Sequence, residues 1–284
     1  MTYAESQGAR LYVETAGCGT PIVFVHEFAG DLRNWEPQVR FFARRYRCIT
    51  FNARGYPPSD VPEDLALYSQ EHAVEDIANV MRHCGVEQAH IVGLSMGGYA
   101  ALNFAIAHPA KTLSIVAAGA GHGSDADKRD AFLQATDALA DRVLQMGMQD
   151  GMREYLHSPA RRRFQEKDPR GFAEFNRQCG EHSATGSALT ARGCQLRRPT
   201  LYALQDRLAQ LRAPTLVITG DDDELCLEPA MFLKRTIPDA RLCVMPRTTH
   251  TVNLEEPDAF NRVVADFLTE VAHTGAEHGA RAQG

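Results

Sequence analysis

The stretch Gly93-Leu94-Ser95-Met96-Gly97 indicates the fold of this 284-residue sequence more clearly than any other. An apolar run, Ala89-His90-Ile91-Val92, precedes it, and a run of small residues, Gly98-Tyr99-Ala100-Ala101-Leu102, follows it. This order predicts a strand, a sharp turn and a helix, with Ser95 at the corner. The glycines leave room where the backbone turns too tightly for side chains, and the first helical N–H groups point towards the corner. We therefore expect Ser95 to be an exposed nucleophile rather than part of a plain structural turn.

The composition is that of an ordinary soluble protein. Hydrophobic residues make up 44% of the chain and the net charge is −6, so a sizeable core is expected and no basic character indicates nucleic-acid binding. No apolar run approaches the ~20 residues needed to span a bilayer. The N-terminus has no basic stretch followed by an apolar one, so no signal peptide is predicted. We expect neither a nucleic-acid nor a membrane partner.

The seven cysteines are scattered along the chain, odd in number and without any C-x-x-C pair. This pattern argues against a disulfide framework and against a structural zinc site. It is typical of a protein in a reducing compartment, so a cytoplasmic location is predicted.

Short apolar runs alternate with helical patterns, which is typical of a parallel sheet covered by helices on both faces. The predicted strands are residues 22–25, 48–51, 91–94, 113–118, 215–219 and 242–245. Ser69 is predicted to cap a helix that ends at Gly85, and the helix after Ser95 is predicted to end near His108. Pro257 is predicted to begin the last helix. Residues 273–284 lack an apolar period and are predicted to be a disordered tail.

The region between residues 122 and 211 has helical periodicity without a clear strand, so we expect a helical cap inserted into a core of residues 1–121 and 212–272. Segment 151–212 carries twelve Lys/Arg and six Asp/Glu, which leaves a net charge of −12 on the remainder of the chain. A solvated helix face explains this surplus. Attraction of an anionic substrate or partner explains it as well.

A serine hydroxyl needs a base, and the base needs an orienting acid. The strand at 215–219 is followed by Gly220-Asp221-Asp222-Asp223-Glu224, and the next strand by Pro246-Arg247-Thr248-Thr249-His250. Both segments leave the sheet at the edge where Ser95 is expected. We expect His250 to be the base and Asp223 the acid, with Asp222 and Asp125 as alternative acids.

An oxyanion that develops during acyl transfer needs donors already in place. The Met96 N–H, beside the nucleophile, is one expected donor. The other is expected in the loop His26-Glu27-Phe28-Ala29-Gly30, where the Phe28 N–H is favoured. The side chains of Phe28 and Met96 would then form the floor of the pocket.

Taken together, these motifs resemble the α/β-hydrolase family, in its cap-bearing branch of small serine hydrolases. The resemblance covers about residues 9–271 and rests on the segments 26–30, 52–59, 93–98 and 220–223, and on His250, Glu255 and Pro257. It implies an α/β fold with a mostly parallel eight-stranded sheet, no metal or cofactor, and acyl transfer through an acyl-enzyme.

The resemblance implies a small-molecule ester or lactone substrate, but the acyl and alcohol groups and the oligomeric state stay open. Carbon–carbon bond cleavage on the same triad is an alternative, against which Leu94 argues, because such members often carry Asn before the serine. A non-catalytic ligand receptor is another alternative. Glu27 stands where the family usually has glycine, and is either an outward structural residue or a group that contacts substrate or water. His122 is a further candidate for substrate contact.

Overall fold

Eight strands form one sheet in the spatial order β1-β2-β4-β3-β5-β6-β7-β8. The structure is a computed structural model that describes residues 2–281, with side chains described through residue 274. The strands are β1 (Thr2–Ser6), β2 (Ala9–Ala16), β3 (Thr20–Val25), β4 (Tyr46–Phe51), β5 (Ala89–Leu94), β6 (Thr112–Ala118), β7 (Thr215–Gly220) and β8 (Ala240–Met245).

Strands β4, β3, β5, β6, β7 and β8 run parallel, whereas β2 pairs antiparallel with both β1 and β4. The predicted mostly parallel, eight-stranded sheet is confirmed, and all six strands predicted from apolar runs are present with ends within two residues. The hairpin of β1 and β2 is not among the six strands located from the sequence. It mixes buried and exposed residues at the edge of the sheet, so it lacks the continuous apolar run that marks the other strands.

Helices cover both faces of the sheet. They are α1 (Glu36–Phe42), α2 (Gln70–His83), α3 (Met96–Ala107), α4 (Ala126–Gly151), α5 (Arg153–Leu156), α6 (Arg162–Lys167), α7 (Pro169–Gly180), α8 (Ala184–Thr190), α9 (Gln205–Leu208), α10 (Leu227–Thr236), α11 (Val252–Glu255) and α12 (Pro257–Arg281). One apolar cluster lies between the sheet and α2, α3 and α10, and a second lies between the sheet and α1 and α12. Over the described residues, no helix combines the length and the apolar character needed to cross a membrane.

The last helix is longer than the sequence predicts. Helix α12 reaches Arg281 and so includes most of the segment 273–284 for which a disordered tail is predicted. Residues 282–284 lie outside the described residues.

Between β6 and β7 the chain forms helices α4 to α9 and no strand, as expected for an inserted helical cap. A third apolar cluster joins the cap to the core. It unites Phe28 and Met96 of the core with Leu139, Phe164 and Phe175 of the cap. The two residues that flank the expected oxyanion site are therefore buried beneath the cap.

The corner between β5 and α3 is strained and closely packed. Ser95 has φ 55° and ψ −111°, a conformation that non-glycine residues rarely adopt. A Cβ on Gly93 would lie 2.1 Å from the Gly97 oxygen, and a Cβ on Gly97 would lie 2.0 Å from the Val25 oxygen. Both glycines are thus required by close backbone contacts: Gly93 allows β5 to approach α3, and Gly97 allows α3 to approach the end of β3.

These contacts give a prediction for stability. Gly97→Ala should destabilise the protein by roughly 1–3 kcal/mol or more, because its methyl group can be accommodated only if β3 and α3 separate. Gly180→Ala is the matched control: it ends α7, and a Cβ there would meet nothing closer than 3.9 Å, so a change within about 0.5 kcal/mol is expected. Urea unfolding followed by circular dichroism measures both. Equal stability of the two variants would contradict the packing argument.

Candidate active site

The imidazole of His250 and the carboxylate of Asp223 are hydrogen-bonded at the sheet edge where β7 and β8 end. Nδ1 of His250 lies 2.8 Å from Oδ2 of Asp223, and the two residues are 5% and 1% exposed. An ionised carboxylate can only accept, so Nδ1 carries the proton and Nε2 is left as the proton acceptor. The structure thus brings together the base and the acid that the sequence predicts.

Asp223 is also the one of the three candidate acids that reaches the histidine. Asp222 is bonded to Arg163, with Oδ2 2.6 Å from Nε. Asp125 precedes α4 and accepts a hydrogen bond from the Tyr202 hydroxyl at 3.0 Å. Both alternatives are therefore engaged in contacts away from His250.

The pair changes the protonation equilibria of both groups. Burial lowers the pKa of His250, but the charge of Asp223 and its hydrogen bond outweigh burial, so the pKa of His250 is raised above its usual value. Burial raises the pKa of Asp223, but His250 outweighs it and the net shift is downward. The carboxylate consequently stabilises the imidazolium form of His250.

The end of β6 connects the Ser95 corner with His250. The Ser95 N–H donates to the Ala118 oxygen at 2.7 Å. The next residue, Gly119, lies directly against the imidazole, since a Cβ there would be 3.3 Å from Cε1 of His250. The Ser95 backbone and the His250 imidazole therefore both lie beside the end of β6, although 155 residues separate them in the sequence. Proton transfer between the Ser95 hydroxyl and His250 stays a prediction.

The loop before His250 is fixed by Glu255. The Thr249 N–H donates to Oε2 of Glu255 at 2.8 Å, and the Thr249 hydroxyl donates to Oε1 at 2.5 Å. The Thr251 N–H donates to the same Oε1 at 3.2 Å. Residues on both sides of His250 are thus tied to one buried carboxylate, which limits movement of the imidazole.

The loop after β3 is braced by His26. Burial lowers the pKa of His26 to about 4, so the ring is neutral at pH 7. Its Nε2 accepts from the Ala53 N–H at 3.0 Å, which assigns the proton to Nδ1, 2.7 Å from the Glu27 oxygen. The Tyr56 hydroxyl donates to the Phe28 oxygen at 2.8 Å. The backbone that carries the Phe28 N–H is therefore held from two directions.

Met96 is the first residue of α3, so its N–H has no acceptor within the helix. This N–H lies next to Ser95 in the chain, as an oxyanion donor must. The roles of Phe28 and Met96 as oxyanion donors stay a prediction.

Glu27 is buried rather than outward. It is 1% exposed and forms an ion pair with Arg161 of the cap, which is 2% exposed. The guanidinium of Arg161 also lies 4.8 Å from the ring centre of Tyr155. An outward placement of Glu27 is therefore wrong, whereas its contact with substrate or water stays a prediction. Its partner Arg161 is a cap residue that the sequence pattern does not single out. The sequence does show a run of three arginines, Arg161-Arg162-Arg163. Nothing in that run indicates that Arg161 is the one that reaches the core.

A cavity of about 460 Å³ lies beside the imidazole, between the cap and the strand ends. It is lined by His122, Tyr155, His250, residues 158–162 of the cap and residues 221–225 after β7. His122 therefore faces the same space as His250. Burial, with a smaller contribution from His250, lowers the pKa of His122 to about 4, so it is a neutral polar group there. Substrate contact by His122 stays a prediction.

Many cations of the basic segment are paired with carboxylates. Within the described residues, several pairs cross from the cap to the core: Arg161 with Glu27, Arg163 with Asp222, Lys167 with Glu256, and Glu181 with Arg33. Others, such as Arg192 with Asp137 and Asp141, lie within the cap. The positive segment and the negative remainder are thus matched to one another, which gives the surplus a structural explanation.

Asp223, Cys226 and His250 are the group among the described residues that could hold a metal ion, because one ligand atom of each lies within 4.8 Å of the others. Burial raises the pKa of the Cys226 thiol well above its usual value, so the thiol is protonated at neutral pH. Metal binding would also have to displace the proton shared by Asp223 and His250. The close approach of the three ligand atoms is explained by the hydrogen bond between Asp223 and His250.

A model of the alpha/beta hydrolase fold family matches residues 20–257. This chain belongs to that family. The match extends from β3 to the start of α12 and so includes the Ser95 corner, the cap and both loops that carry Asp223 and His250.

Relatives with different named activities are similar to the chain over nearly its whole length. A 2-hydroxy-6-oxo-6-phenylhexa-2,4-dienoate hydrolase from Burkholderia cepacia is 28% identical, with 91% of each chain covered. A thermophilic esterase from Thermogutta terrifontis is 25% identical with a TM-score of 0.84, and the match covers 95% of this chain and 98% of the esterase. Est816, described as an N-acyl homoserine lactone degrading enzyme, is 26% identical with a TM-score of 0.77, and the match covers 94% of this chain and 100% of Est816.

The Asp223–His250 contact gives a prediction for the pKa of the His250 imidazole. In Asp223→Asn the charge that favours imidazolium is lost while burial remains, so the pKa of His250 should fall by ~1 unit or more. Nuclear magnetic resonance of the histidine ring protons measures the midpoint, with the His250 signal assigned by its loss in His250→Asn. Asp222→Asn, in the same loop, is the control and should leave the midpoint unchanged. An unchanged midpoint in folded Asp223→Asn would show that the contact does not control the imidazole.

Proposed function

We propose that this protein is a serine hydrolase that cleaves a carboxylic ester or a lactone of a small molecule through an acyl-enzyme. The observation that carries the proposal is the buried Asp223–His250 pair beside the end of β6, to which the strained Ser95 corner is also bonded. This is the arrangement that converts a weakly nucleophilic hydroxyl into an attacking group. Family membership supports hydrolase chemistry in general terms.

In the first half-reaction, Nε2 of His250 removes the proton of the Ser95 hydroxyl as its oxygen attacks the substrate carbonyl carbon. Asp223 holds the Nδ1–H tautomer and stabilises the imidazolium that forms. The pKa of His250 is raised because its partner Asp223 is an anion, which stabilises the protonated imidazole. His250 then protonates the departing alcohol oxygen, and the acyl group remains on Ser95.

The negative charge on the carbonyl oxygen is stabilised by the N–H groups of Met96 and Phe28. The Met96 N–H contributes the partial positive charge of the α3 N-terminus. The Phe28 N–H belongs to the loop braced by His26 and Tyr56. Donors that need no reorganisation are worth ~3–4 kcal/mol of barrier height each.

In the second half-reaction, His250 acts as a base again, this time towards water. The water oxygen attacks the acyl carbon, His250 takes a water proton, and Ser95 leaves as the restored hydroxyl when His250 returns that proton. The acid product is released into the cavity that His122 and Tyr155 line. For a lactone, the alcohol and acid groups remain in a single product.

Carbon–carbon bond hydrolysis is the second candidate reaction. The similarity to the Burkholderia cepacia hydrolase favours it, whereas Leu94 before the nucleophile argues against it. Esters and lactones are preferred because the esterase and the lactone-degrading enzyme are similar in fold over 95% and 94% of this chain. A panel that contains neutral esters, anionic esters, lactones and a vinylogous 1,5-diketone would separate these substrate classes by kcat/KM.

The role of Ser95 has a direct test. Ser95→Ala should lower kcat on a p-nitrophenyl acyl ester by ~10⁴-fold or more, because the nucleophile is removed, while the unfolding transition stays close to that of the wild type. Ser69→Ala, which removes a hydroxyl at the start of α2 outside the cavity lining, should retain most activity. Wild-type turnover in Ser95→Ala would refute the mechanism. Ligand binding by a wild-type protein that never turns over would favour the receptor alternative.

A further inference from the structure

The cap segment 160–167 contacts three of the loops that surround the proposed active site. The Ala160 oxygen accepts from the His250 N–H at 3.0 Å. Nε of Arg163 donates to Oδ2 of Asp222, the neighbour of Asp223, at 2.6 Å. Arg161 reaches Glu27 in the loop of Phe28. A single stretch of the cap therefore touches the base loop, the acid loop and the expected oxyanion loop.

Among these contacts, the one made by Arg161 is the most completely buried. Asp222 and Arg163 are partly exposed, and pairs of that kind contribute little to stability. Glu27 and Arg161 are both excluded from solvent, where an ion pair is tolerated only when each charge keeps its partner. Arg161 is further enclosed by the rings of Tyr155 and Phe175, at 4.8 and 5.5 Å from its guanidinium carbon. The position of the cap segment is thus fixed mainly at Arg161.

We infer that Arg161 is a positioning residue: paired with Glu27, it holds the cap segment 160–167 on the active-site loops and keeps the charge beside His250 balanced. Arg161 does not need to touch the reacting atoms for this. It acts through the backbone contact of Ala160 with His250 and through the neutralisation of Glu27. The catalytic consequence of this inference rests on the proposed function, whereas its electrostatic consequence does not.

The electrostatic part follows from the groups around the imidazole. They are Asp223 and Cys226 from the loop after β7, His122 from the loop after β6, Glu27 from the loop after β3, and Arg161 from the cap. The charge of Glu27 raises the pKa of His250 and the charge of Arg161 lowers it. These opposed effects offset each other while both residues are charged. Loss of one charge would leave the other uncompensated in a buried setting.

The first test measures charge balance without any substrate. Glu27→Gln keeps the shape of the side chain but leaves Arg161 as an uncompensated cation. The midpoint of the His250 ring-proton titration should therefore fall by ~0.5 pH unit or more. The double variant Glu27→Gln/Arg161→Gln removes both charges and should return the midpoint close to the wild-type value. It also provides a folded protein if the single variant is too unstable to study.

The second test separates position from charge. Arg161→Lys retains the positive charge, so the His250 midpoint should stay near the wild-type value. It loses the planar fork and the ring contacts, so the cap segment should shift and kcat should fall by ~10-fold or more, with a smaller change in KM. Arg192→Gln, which breaks exposed pairs within the cap, is the control and should change neither quantity.

A wild-type midpoint in folded Glu27→Gln, or a wild-type kcat in Arg161→Lys, would overturn the inference. A shifted midpoint in Glu27→Gln that persists in the double variant would also overturn it, because the effect would then not be one of charge. Absence of ester and lactone turnover in the wild-type protein would instead refute the proposed function, and the titrations would still decide the charge balance beside His250.

Discussion

The parallel arrangement of the six strands β3 to β8 is the constraint on which the site depends. Because their carboxyl ends lie at the same edge of the sheet, the loops after β3, β5, β7 and β8 converge there. Residues as distant in sequence as Glu27 and His250 are neighbours for this reason. The strained Ser95 corner is stabilised by the same arrangement, since its backbone is bonded to β6 and its helix packs against β3.

The cap is attached to this edge by charge as well as by apolar packing. Its basic segment faces carboxylates of the acidic remainder, in the loops that surround the strand ends. Such complementarity gives part of the basic segment a structural role, and attraction of an anionic ligand stays a prediction. The apolar cluster around Phe28 and Met96 lies beneath the same contacts, so exclusion of water and placement of the loops are achieved by one set of interactions.

Local patterns predicted the parts of the structure that local physics controls. Continuous apolar runs marked β3 to β8, and the glycines on either side of Ser95 marked the corner, because a tight turn permits few residue types. The β1–β2 hairpin was missed because its strands mix polar and apolar residues and contain no long apolar run. Arg161 was missed for a different reason: its partner lies 134 residues away, and a run of three arginines does not show which one points inward. The boundaries of the cap and the substrate contacts depend equally on long-range packing.

The proposed mechanism requires that the hydroxyl oxygen of Ser95 carry the acyl group. Mixing the protein with a slowly hydrolysed acyl ester, quenching in acid and mapping the modified peptide by mass spectrometry tests this most directly. An acyl adduct is expected on the peptide that contains Ser95, formed as fast as the first alcohol is released and absent when residue 95 is alanine. Hydrolysis that proceeds without any covalent adduct on Ser95, or with an adduct elsewhere, would contradict it.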